Sequence, residues 1–89
     1  MQRLITRPTA AMRLARTIAS DILIYNRDLV SEAIRNDTVF EDLAEQIEEG
    51  RRHFASRVAP DVAKQHDFLD RALVDVLLFR AMNDAQDPA

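Results

Sequence analysis

The chain has no cysteine and no tryptophan, and only one glycine, one lysine and three prolines in 89 residues. Without cysteine, neither disulfides nor thiolate metal sites are available. So little glycine and proline leaves few hairpin turns, which excludes a fold built from many short strands. Long apolar runs are also missing. The longest, Ile22 to Tyr25 and Val76 to Phe79, fall far short of the ~20 residues that a membrane-spanning helix needs. The first sixteen residues lack the apolar core and cleavage site of a secretory signal, so the expected location is the cytoplasm. No phosphate loop or dinucleotide fingerprint is present. With two histidines and no glycine-rich turn, no nucleophile has a base and an oxyanion pocket to work with. The expectation is therefore no enzymatic activity and no cofactor.

What is present suits one globular domain. Hydrophobic residues make up 47% and charged residues 30%, whereas a disordered chain would be poorer in apolar residues. A chain this short buries only about 60 to 65% of the surface that its unfolded form exposes, which leaves stability marginal. With no disulfide to help, a second subunit is the expected extra source.

Apolar residues recur at three- and four-residue steps throughout, which predicts an all-α, three-helix domain over 9–82. A basic leader at 1–8 precedes it and a frayed tail at 83–89 follows. Thr9 is the expected N-cap of a long first helix with Ala11, Leu14, Ala15, Ile18, Ala19, Ile22, Tyr25 and Leu29 on one face. Asn26 leaves two alternatives, a continuous helix to Asn36 or a kink or break. A second helix follows the capping-box sequence Thr38-Val39-Phe40-Glu41, with Phe40, Leu43, Ala44, Ile47, Phe54 and Val58 inward and acids opposite. Gly50, in its interior, costs about 1 kcal/mol relative to Ala, and a close helix crossing is the preferred explanation. Pro60 opens the third helix, which carries Val62, Phe68, Leu69, Ala72, Leu73, Val76, Leu77 and Phe79 toward Met82, with Asp67 as an alternative N-cap.

From Ala72 to Met82 only Asp75 and Arg80 are polar. A helix that is apolar all round must be buried all round, and two partner helices cover only about two-thirds of such a circumference. The remainder predicts a homodimeric helical bundle, closed by a two-fold axis, with Leu23, Ile24, Val74, Leu77, Leu78 and Phe79 at the interface. The alternative is that these residues complete an intramolecular core.

Charge offers two weaker readings. Arg3, Arg7, Arg13 and Arg16 occupy a stretch without acids and are candidate nucleic-acid contacts. Against them stand a net charge of −3 and the absence of interleaved aromatics for base stacking. Their other expected destination is the acidic stripe Glu41, Glu45 and Glu48. The pairs Glu49/His53 and His66/Asp70 have metal-binding spacing, but two ligands do not make a site and solvated surface charge is the favoured reading, so a metal- or small-molecule-binding helical bundle stands as the third alternative. Asp75 is expected to pair with Arg71 one turn earlier or with an arginine across an interface.

The strings Leu14-Ala15-Arg16, Ser20-Asp21-Ile22, Tyr25-Asn26, Ile47-Glu48-Glu49-Gly50-Arg51-Arg52, Arg57-Val58, Phe68 and Ala72-Leu73-Val74-Asp75 carry a resemblance. Over residues 11–78 the chain resembles a helical module, without assigned activity, that is appended to other domains in assorted bacterial regulatory proteins. The resemblance implies a separable scaffolding or interaction module that contacts another protein. It implies no catalytic, metal or cofactor residues.

Overall fold

In the computed structural model, which describes residues 3–81, each of the three expected helices is interrupted once. The first becomes α1 (Pro8–Tyr25) and α2 (Arg27–Asn36), and the second becomes α3 (Val39–Asp42) and α4 (Ala44–Arg57). The third becomes α5 (Pro60–Gln65) and α6 (Phe68–Leu73), and α6 runs on without a break into a π-helical segment, Val74–Arg80. The all-α class holds for the described residues, while the count of three helices gives way to six and a π-segment. Met82 and the 83–89 tail lie outside the described residues.

The interruptions have local causes. The Asn26 side-chain amide donates to the Ile22 carbonyl at 2.8 Å, and its own backbone N–H reaches only to Leu23 O, at 3.4 Å. The side chain thus takes the acceptor that helical geometry reserves for the backbone. The Asn26 carbonyl then accepts from Val30 N at 2.8 Å, which opens α2. At the other end of α2, Asp37 adopts φ 57°, in the left-handed region. Its N–H bonds Ile34 O and that of Thr38 bonds Ala33 O, the paired closure that ends many helices.

Two expected caps take another form. Thr9 does not cap α1. The helix starts one residue earlier, at Pro8, whose fixed φ suits the first turn, with Arg7 at the cap position. Thr38 does sit at the cap of α3, but its hydroxyl donates to the Asp42 carboxylate at 2.6 Å rather than accepting from Glu41 N. α3 ends after one turn, and the fully buried Leu43 separates it from α4.

α1 is the central element, packed against α6, the π-segment and α4. It buries Ala11, Ala15, Ile18, Ala19, Ile22 and Leu23. Gly50 of α4 lies against it so closely that a Cβ there would stand 2.8 Å from Ile18 Cγ2, which is the close crossing expected at this glycine. The N-terminal leader is tied down as well: Ile5 N donates to Arg57 O and Ile5 O accepts from Ala59 N, pinning the leader to the α4–α5 connection.

The break at Asn26 turns part of the expected apolar face outward. Tyr25 is 81% exposed and Leu29 is also exposed, while Val30 and Ala33 are buried. In the second expected helix, Val39 is buried and Phe40 exposed, the reverse of the expected inward position of Phe40. The core is wholly apolar among the described residues. No helix among them is long and apolar enough to cross a membrane.

Candidate association surface

α6 and the π-segment carry most of the residues expected at an interface. In an α-helix, residues four apart drift by about 40° around the axis, so a long run of four-residue steps leaves its face. The wider i→i+5 turns of a π-helix rotate the chain less per residue and cancel that drift. Ala81 N accordingly bonds Val76 O. The rows Phe68–Ala72–Val76 and Leu69–Leu73–Leu77–Ala81 therefore stay buried throughout. The same geometry turns Val74, Asp75 and Phe79 to the outside.

The six expected interface residues divide into two groups. Leu23 and Leu77 point into the chain's own core, so here the intramolecular alternative is the one observed. They back the surface without forming it. Ile24 is 50% exposed, Phe79 63% exposed, Val74 is at the surface, and Leu78 is half-buried against the core. One chain thus buries more of the Ala72–Ala81 circumference than its sequence led us to expect, yet leaves its largest side chain, Phe79, outside.

The relative direction of α1 and α6 can be read from two contacts. Met12, Phe68 and Ala72 line one cleft, and Arg16 Nη1 stands 3.6 Å from Asp75 Oδ2. α1 and α6 therefore run in the same direction, with Arg16 level with Asp75. Ile24 lies two turns beyond Arg16, and Phe79 one turn beyond Asp75, each step being about 6 Å. Eight residues of α-helix also carry Ile24 about 80° around α1 from Arg16, so Ile24 and Phe79 are two separate exposed apolar positions. Tyr25 lies beside them in sequence but lines a different groove, at the α1–α4 crossing, with Asp21, Asn26, Gln46, Glu49 and His53. The period alone did not reveal the exposure of Met12 or Tyr25.

The charged residues are dispersed. Arg3, Arg7 and Arg13 are exposed, and the ion pairs among the described residues are Arg16–Asp75 and Arg51–Asp70, the latter at 2.7 Å. Asp75 thus meets an arginine from another helix of the same chain, not Arg71. Glu41, Glu45 and Glu48 do not receive the N-terminal arginines within the chain. No group of three or more histidines and acids gathers around a common point among the described residues. Comparison of the chain with protein-family models, curated proteins and solved structures gives no significant match.

Proposed function

We propose that this protein is a non-catalytic helical interaction and assembly module that self-associates, with a homodimer as the basic unit, and presents its helices to another protein. The observation that carries the reading is the exposure of Phe79 and Ile24, large apolar side chains over a core that is wholly apolar among the described residues. A Phe of which 63% faces water leaves an apolar area that association would remove, at about 25 cal/mol per Å². A self-complementary patch is the simplest way for a short chain to cover such side chains, because one surface serves both copies. The resemblance to modules appended to bacterial regulatory proteins supports the same role.

The test is a pair of glutamate variants, Ile24→Glu and Phe79→Glu, followed by sedimentation and by circular dichroism. Both residues are exposed, so each variant should keep its helical signal and lose its association. Retained association in both variants would remove this surface from the account.

A second reading, an arginine-dependent nucleic-acid-binding regulator, has one observation in its favour: Arg3, Arg7 and Arg13 are exposed and lack ion-pair partners among the described residues. It predicts binding to DNA or RNA that weakens steeply with salt and with loss of these arginines.

A further inference from the structure

We propose that the cleft between the N-terminal half of α1 and α6 with its flanking residues is a binding site for a small organic carboxylate with a short apolar body. The cleft has a volume of about 370 Å³, at the lower end of the range of small-molecule sites. Its apolar wall is Pro8, Met12, Phe68 and Ala72, and its polar groups are Arg16, Arg71, His66 and Asp75. It lies within one chain, Ile24 and Phe79 are not among its lining residues, and it does not depend on self-association.

The charges decide what the cleft accepts. Two guanidinium groups and one carboxylate leave the lining net positive before His66 is counted. Asp67 and Asp70 share an adjoining groove with Arg71, but Asp70 pairs with Arg51 and neither acid forms an ion pair with Arg71. Asp75 holds Arg16 at 3.6 Å, beyond the roughly 2.7–3.2 Å of a hydrogen bond, and both side chains are more than half exposed. Arg71 has no ion-pair partner among the described residues. A carboxylate is planar and takes two parallel N–H donors from a guanidinium, so it fits these open forks better than a neutral or cationic group. The apolar side is equally built. Met12 is an exposed, flexible thioether that adapts to irregular partners. The His66 ring stands edge-on to Phe68 at 5.2 Å, which holds that end of the wall in place. Ala72 keeps the floor open, where a larger residue would fill it.

The experiment is a titration of the whole protein, followed by amide NMR shifts, with hexanoate, hexanol and hexylamine as probes. Hexanoate should saturate a single site, with shifts centred on Met12, Arg16, Phe68 and Ala72, and bind at least about tenfold more tightly than the other two. Arg71→Gln and Arg16→Gln should each weaken hexanoate about tenfold, whereas Arg13→Gln, outside the cleft, should not. Asp75→Asn should tighten binding severalfold, because it removes the competing carboxylate and frees Arg16; a purely structural role for Asp75 would not do this. Equal binding of hexanol would reduce the cleft to an apolar crevice and overturn the assignment. So would shifts confined to Arg3, Arg7 and Arg13, or no saturable shift at all. The spectra of the free variants separate loss of binding from loss of fold.

Discussion

Gly50 is where a single atom sets how closely two helices approach. The missing side chain lets α4 lie on Ile18 and Ile22, and an added Cβ would sit 2.8 Å from Ile18 Cγ2. That methyl group branches from the Ile18 Cβ, so it cannot swing clear as a long flexible end would. Ala gains about 1 kcal/mol in helix propensity but overpacks the crossing by roughly 1 to 3 kcal/mol. Gly50→Ala should therefore be destabilising overall, by about 1 kcal/mol in urea denaturation. The double variant with Ile18→Ala should cost clearly less than the sum of the two single changes, because the clash is shared. Strict additivity would mean that the contact with Ile18 does not set the crossing. The same scale separates Leu77 from Phe79, two positions apart. Leu77 has no accessible surface, and truncation to Ala there should cost about 2 to 5 kcal/mol, whereas Phe79 faces out.

The helices themselves were legible at the level of type and missed at the level of boundaries. Apolar residues at steps of three and four, with few glycines and prolines, specify helix wherever they occur. Pro60 and the Asn36–Asp37 turn mark real ends. What the pattern does not record is competition for a single carbonyl. Asn26 reads as either a cap or an interior residue, and its side-chain bond to Ile22 O decides the matter only once the turn has formed. Leu43 has no sequence signature of a break at all, since a buried leucine suits a helix interior as well as the joint between α3 and α4. The π-segment is hidden for a related reason, because four-residue steps are compatible with an α-helix until they run on too long. The candidate surface was legible to the same partial degree. Ile24, Val74 and Phe79 are outside, but Leu23 and Leu77 could not be told from them by hydrophobicity. Asn26 makes the element-scale account testable. Asn26→Ala removes a part-buried hydrogen bond and should lower stability by about 1 kcal/mol. Unchanged or raised stability would place the cause of the break in the packing of α2 instead.

On the scale of the whole molecule, five further helices and the π-segment join α1 among the described residues to enclose an apolar core, in a body of 43 × 22 × 21 Å. The chain thus satisfies more of its apolar residues than its composition promised, which narrows the proposed interface to the exposed Ile24, Val74 and Phe79 and their neighbours. The proposed carboxylate cleft is lined by other residues, from Pro8 to Arg16 and from His66 to Asp75. Binding and association are therefore separable, and a variant that abolishes one should leave the other intact. The most direct measurement is solution mass by light scattering across a dilution series in moderate salt, with Phe79→Glu alongside the native chain. The account predicts twice the 10.2 kDa chain mass for the native protein at high concentration and a single chain mass for the variant. A native mass of one chain at every concentration would contradict it and turn attention to the exposed arginines and nucleic acid.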